Sequence, residues 1–404
     1  MADPIAAGRR VPSARDLVLR QQLRRVLIFV LLGVLPAIWI GGMIVSLLLN
    51  DLETKGAYDL KVVFLPAAHA VLHGGSPYPG LGDAALSHQA AYVYPPFVAF
   101  VVTPLTVFSV SAASVVGVIG SLLVIPVILA LADVRDWRCY GVALCWSPVL
   151  NAVQNVNVSV PIALLVALAW RFRRAWLISG LSIGCAVAAK VFVWPLLFWP
   201  LAVARWRALV TGIATAAALA LGSWAAIGFK GFSSYPTLVR TLTSFEETES
   251  YSVSGALRVL GLPVVPARGV ALLLTVLLCA LCVYFGRRRD EPRSLAAAAL
   301  AALASTPILW QHYLVLLLVV LAVCRPRLSA VWFVPWLLWL APYTGNGNVV
   351  QTLLVPIGAA VIGAVCLLPE ETRWACYNPL RRLVVQATPS AGSRPQVTRE
   401  SMGA

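Results

Sequence analysis

Apolar runs of 13 to 24 residues recur between residues 26 and 368. A bilayer core offers backbone N–H and C=O groups no water, so runs of this length cross it as helices that satisfy their own backbone. Only 12% of residues are charged, against about 25% in a soluble protein. The pattern predicts an all-α polytopic membrane protein. Twelve spans are read, at 26–49, 112–132, 139–152, 158–170, 175–189, 192–204, 208–229, 264–285, 294–308, 313–324, 328–343 and 349–368. The shortest correspond to about 20 Å of helix, less than the roughly 30 Å hydrocarbon core. Such spans tilt little, thin the bilayer or line a cavity. Segment 95–110, after a Pro-Pro turn, is placed as a juxtamembrane element, because counting it as a span reverses the side of every later loop.

Charge supports that placement. With the N-terminus inside, the inner segments 1–25, 133–138, 171–174, 205–207, 286–293, 325–327 and 369–404 carry 24 of the 31 Lys and Arg and 9 of the 16 Asp and Glu. The outer side carries 7 of each, so the whole net charge of +15 lies on the inner face. This is the positive-inside bias of a membrane protein rather than a nucleic-acid footprint. The expected organisation is a basic cytoplasmic tail at 1–25, an integral membrane domain at 26–368 with outer loops 50–111 and 230–263, and a polar cytoplasmic tail at 369–404. The first run is too long for a signal-peptide core and reads as a retained span. The eight cysteines lie mostly in apolar runs without a CxxC, as small packing residues do.

Few residues remain that can carry chemistry. Asp59 follows the first span in the longest polar interruption, 51–96. A carboxylate there can act as a general base toward a hydroxyl, or be a solvated loop acid. Lys190, in AVAAKVFVWPLL, has no neighbouring counter-charge. Leaving that charge at mid-bilayer costs about 2.5–3.5 kcal/mol, so a phosphate partner or snorkelling to the surface is expected. Trp310, His312 and Tyr313 sit at a span junction, where Trp and Tyr also serve as interfacial anchors. Gln154, Asn155 and Asn157 form a turn between two short spans, where amides bind sugar hydroxyls or satisfy the turn itself. His69 and His73 have i,i+4 spacing and share their loop with Asp59 and His88. With no evident third ligand they read as part of an amphipathic helix, and no metal site is expected. Lys230, Arg240 and Arg258 share a loop with Glu246, Glu247 and Glu249, so they bind an anionic headgroup or pair among themselves. No Walker A loop or dinucleotide fingerprint occurs, which argues against a nucleotide-driven pump.

Five stretches occur in a telling order: YDLKVVFLPAAHAVLHGGSPYP, YVYPPFVAFVVTPL, SPVLNAVQNVN, SGLSIGCAVAAKVFVWPLLFWPLAVARWRA and STPILWQHYLVLLLVVLA. Together they resemble glycosyltransferase family 87, of the GT-C membrane enzymes, over roughly residues 26–330. The resemblance implies a GT-C fold with an outer first loop of juxtamembrane helices. It implies transfer of a sugar, with inversion, from a polyprenyl-phosphate donor to a glycolipid or glycan acceptor outside a bacterial plasma membrane. It needs no cofactor. By it, Asp59 matches the first-loop catalytic aspartate and Tyr94 the tyrosine-proline-proline turn. Gln154 and Asn157 match an amide turn in which Val153 replaces a glycine. Lys190, Trp310 and His312 match the later motifs. Lys190, His312 and Arg258 are then expected at the donor phosphate, and Tyr94, Gln154, Asn157, Trp310 and Tyr313 around the substrates. Mannose is the family-weighted sugar and arabinofuranose the alternative. From another class, a lipid-linked sugar transporter also places ionisable residues on broken helices, but internal repeats are not evident between the two halves.

Overall fold

The computed structural model describes residues 14–46, 56–86, 90–342 and 347–368. His88 and the expected tails at 1–13 and 369–404 lie outside them. The described residues contain helices and turns and no strand. Five helices are long and apolar enough to cross a membrane: Val18–Gly42, Val110–Leu131, Trp206–Ala226, Val264–Arg287 and Val349–Leu367. Ser147–Asn155 and Ser159–Arg171 make a sixth if taken as one span, bent by 115°.

The other expected spans are shorter or differently wound. The run expected at 139–152 divides into helices Trp137–Leu144 and Ser147–Asn155, where Trp146 turns extended before Pro148. The runs at 192–204 and 328–343 contain 3₁₀ turns, Val191–Leu197 and Ala330–Leu340, each with a proline inside. In Ala330–Leu340 the indoles supply the anchoring. Trp336 donates to the Val142 carbonyl at 3.1 Å and Trp339 to that of Cys145 at 2.9 Å. Segment 95–110 forms the helix Pro96–Val102 and a 3₁₀ turn, Thr103–Val107. Those 12 residues make an apolar helical stretch shorter than a membrane-crossing helix.

At the centre stands Glu291–Ser305, in which every residue from Ser294 to Ala304 is buried. Its seven alanines present a thin cylinder that neighbours approach from all sides, the pattern of an interior helix. Close approach recurs between Trp176–Ala189 and Trp206–Ala226. A Cβ on Gly180 would lie 2.6 Å from Thr211 Cβ, and one on Gly184 2.5 Å from Thr215 Cβ. Two glycines one turn apart let these backbones meet, the small-residue contact that replaces hydrophobic association in lipid.

The basic loops meet at one end of the bundle. Glu291 receives Arg205 at 2.7 Å and Arg173 at 3.3 Å. Asp136 accepts from Arg138 at 2.7 Å and from the Leu328 N–H at 3.1 Å. The Arg138 guanidinium holds the Asp136 carboxyl down to about 2. Residues of loops 133–138, 171–174, 205–207 and 286–293 are thus tied to one another or to residue 328.

Candidate active site

The helix over 59–72 carries the first candidate. Its opening turns, Asp59–Phe64, are π-wound and run on into the α-helical Leu65–Leu72. A π turn widens the helix by one residue per turn, a distortion frequent at functional sites. Just before it, Ala57 has φ 53°, and its N–H donates to the Gln154 carbonyl at 2.7 Å. The first loop is thereby fixed to the break between the two bent helices.

That break is built from Val156 and Asn157. Val156 takes the left-handed conformation, φ 53° and ψ 49°, costly for a β-branched residue. Asn157 uses both ends of its amide. Its Oδ1 accepts the Ser159 N–H at 2.8 Å and the Ser159 hydroxyl at 2.6 Å, capping the second helix. Its Nδ2 donates to Asp59 Oδ2. Burial pushes the Asp59 carboxyl up, while the Asn157 amide and the Lys190 charge oppose that rise.

Lys190 lies in extended backbone between Trp176–Ala189 and the turn Val191–Leu197. Its ammonium sits 3.2 Å from the Tyr313 ring centroid, 5.0 Å from that of Tyr94 and 5.6 Å from that of Phe192. It also donates to the Tyr94 hydroxyl at 3.4 Å. Among the described residues no carboxylate lies within ion-pair distance of it. Aromatic faces thus supply part of the compensation that a buried cation needs.

The WQHY turn is locked from two sides. Gln311 is fully buried. Its amide donates to the carbonyls of Leu338 at 3.1 Å and Ala341 at 3.0 Å, and its Oε1 accepts from the Ser147 hydroxyl at 2.7 Å. His312 Nδ1 lies 3.1 Å from Asn151 Oδ1, an acceptor, which assigns the ring proton to Nδ1 and leaves Nε2 as the free nitrogen.

These pieces enclose one cavity of about 880 Å³. Asp59, Tyr94, Gln154, Asn157, Lys190, Trp310, His312 and Tyr313 all line it, drawn from chain positions up to 254 residues apart. Val191 and Trp194 line it too and are 54% and 40% exposed, so its lining includes apolar side chains that reach the protein surface. Arg258 does not join the group. It pairs with the buried Glu247 at 3.3 Å, which also holds Arg268 at 2.8 Å. The expected phosphate contact at Arg258 is replaced by this ion-paired triad. His69 and His73 lie outside the cavity lining as well, with His73 Nδ1 bonded to the His69 carbonyl at 2.8 Å.

Glu246 does line the cavity and was expected only as a partner of loop cations. Burial raises its carboxyl to about 7, with Glu249 adding to the rise and Lys190 opposing it. The signal was present in the sequence. Leu238 and Leu242 precede Glu246 at four-residue steps, so it continues their buried face.

Comparison with curated proteins and with solved structures gave no significant match. A model of glycosyltransferase family 87 matches residues 92–309. The match covers Tyr94, Gln154, Asn157, Lys190 and Glu246, while Asp59, Trp310 and His312 are joined to them by the cavity. By a match over more than half its length, this all-helical chain with its membrane-length apolar spans belongs to glycosyltransferase family 87.

Proposed function

We propose that the enzyme moves a sugar, mannose in the first instance, from a polyprenyl-phosphate donor to a hydroxyl of a glycolipid or glycan. The reaction takes place on the outer face of a bacterial plasma membrane. The observation that carries this reading is the cavity itself. A carboxylate, a cation and a histidine converge in it, and the exposed apolar residues in its lining, Val191 and Trp194, suit a donor whose tail stays in the bilayer.

In this mechanism the Asp59 carboxylate takes the proton of the acceptor hydroxyl as that oxygen bonds to the anomeric carbon. The bond from that carbon to the phosphate oxygen breaks on the opposite face, giving inversion. The leaving polyprenyl phosphate gains negative charge, which the Lys190 ammonium neutralises in a water-poor site, with His312 adding an Nε2–H donor when its ring takes up a second proton. Asn157 orients the base through its amide. Gln154, Tyr94, Trp310 and Tyr313 shape the substrate space. Twelve crossings, with 95–110 on the membrane surface and both termini inside, remain the topology proposed for this chemistry. Arabinofuranose fits the same mechanism, and the donor assay separates the two sugars.

The test is transfer from radiolabelled polyprenyl-phosphate mannose, and in parallel from the arabinofuranose donor, to a panel of glycolipids by purified wild type and Asp59→Asn. Wild-type transfer that falls at least about 10²-fold in the variant, with donor binding kept, is the expected result. Equal transfer by both proteins removes Asp59 from the mechanism.

A further inference from the structure

The transfer chemistry leaves one buried acid unused. Glu246 ends the helix Tyr235–Glu246, and Tyr235, Val239, Leu242 and Thr243 line the cavity beside it, so one face of this helix forms a wall. The side chain is 6% exposed. Trp310, Lys190 and Asp59 line the same cavity, and the charges of Lys190 and Asp59 act on its carboxylate. Arg258 and Arg268, the nearest guanidinium groups in sequence after it, go to Glu247 instead. A carboxylate has about four accepting positions, one of which the neighbouring Trp310 indole can take.

The chemistry of the donor narrows what the others accept. A polyprenyl-phosphate sugar has an apolar tail and an anionic phosphodiester, neither of which carries a hydrogen-bond donor. Its hydroxyls are all on the sugar. An acid in this cavity repels the phosphate and recognises the ring. Lys190 and Asp59 bracket the phosphate and the anomeric carbon, and Glu246 remains for the rest of the ring. We propose that Glu246, which shares the cavity wall with Trp310, accepts hydrogen bonds from hydroxyls of the transferred sugar and sets which sugar the enzyme selects. This rests on the polyprenyl-phosphate reading above.

The experiment measures binding to the full-length protein in detergent, without acceptor. Three ligands share one polyprenol: the mannosyl phosphodiester, the arabinofuranosyl phosphodiester and a methyl phosphodiester that keeps the charge and lacks the sugar. Wild type is expected to prefer one glycosylated ligand over the methyl diester. Glu246→Ala should weaken that ligand about 10–100-fold, the loss of a hydrogen bond to a charged group, while the methyl diester, relieved of the acid's repulsion, binds no more weakly than before. Glu246→Gln should lie between, and Trp310→Phe should shift the same ligand in the same direction while keeping a ring there. Melting temperatures identify any variant that fails to fold, in which case the remaining two decide. Equal weakening of all three ligands would assign Glu246 a structural or general electrostatic role and overturn the proposal. So would a loss seen only in the KM for acceptor. If wild type binds all three ligands equally, the lipid-phosphate reading stands and the sugar subsite falls. If wild type binds none, the donor reading itself falls and takes this proposal with it.

Discussion

Asn157 holds the base and a helix cap with one amide, and Asn157→Ala removes both. The cap accounts for about 1 kcal/mol of stability. The bond to Asp59 is charge-assisted, in a range of about 1.5–3 kcal/mol. Because that bond favours the ionised carboxylate, its loss raises the Asp59 pKa. At 1.36 kcal/mol per unit, the rise is up to about 1–2 units. The folded-state carboxyl then ionises at higher pH, so the acidic limb of the pH–rate profile moves upward. Misorientation of the base adds a fall in kcat of about 10-fold or more on the plateau. Asn157→Asp should move the limb further, since a like charge beside Asp59 disfavours its ionisation. The assay is steady-state transfer at saturating donor from pH 4.5 to 9, with melting temperatures for each variant. An unshifted limb and wild-type kcat in Asn157→Ala, at normal stability, would refute both the bond's effect on ionisation and the assignment of Asp59 as base.

Two other outcomes follow from geometry already described. Lys190→Met should lower kcat about 10²–10³-fold, the usual effect of removing one stabilising group from a developing anion. Lys190→Arg should not restore it, because a longer side chain with its charge spread over a planar guanidinium cannot place that charge where the ammonium sits, 3.2 Å from the Tyr313 ring; restored transfer would argue against the cage. Gly184→Val should destabilise the solubilised protein by about 1–3 kcal/mol through overpacking against Thr215. Gly120→Ala, where nothing lies within 4 Å of the added Cβ, serves as the neutral comparison in the same melting experiment.

The helical class was legible in the apolar runs, and the site in residues that a lipid-facing chain has no reason to carry. Lys190 stands out because nothing around it in sequence is polar, and Asn157 because its amide breaks an apolar run. What escaped was arrangement. Glu246 sits in a Glu-Glu-Thr-Glu string that reads as solvated, yet its neighbour Glu247 turns to Arg258 and Arg268 while Glu246 turns to the cavity. Adjacent helical residues differ in direction by about 100°, so composition alone could not divide those roles. Arg258 pairs with Glu247 from a separate helix, a contact that sequence spacing does not reveal. The lengths and winding of several expected spans diverged because hydropathy measures apolar length and is blind to winding. Pro195 and Pro335 each lie inside an apolar run that the structure winds as 3₁₀ helix.

The alanine helix Glu291–Ser305 has a consequence for how the protein is made. Alanine is only weakly lipophilic, and the helix opens with Glu291 and Arg293. Entering a membrane by itself, this segment would gain little from the lipid and would have no partner for its small side chains. The preceding helix, Val264–Arg287, is long and strongly apolar and packs closely against it. The two are joined by a short charged turn, so entry as a hairpin, the first carrying the second, is the expected route. Substituting leucine for alanine in Glu291–Ser305 would ease its insertion while blocking assembly around it. Biogenesis and packing therefore select opposite residues along the same helix, and the retained alanines mark packing as the stronger demand.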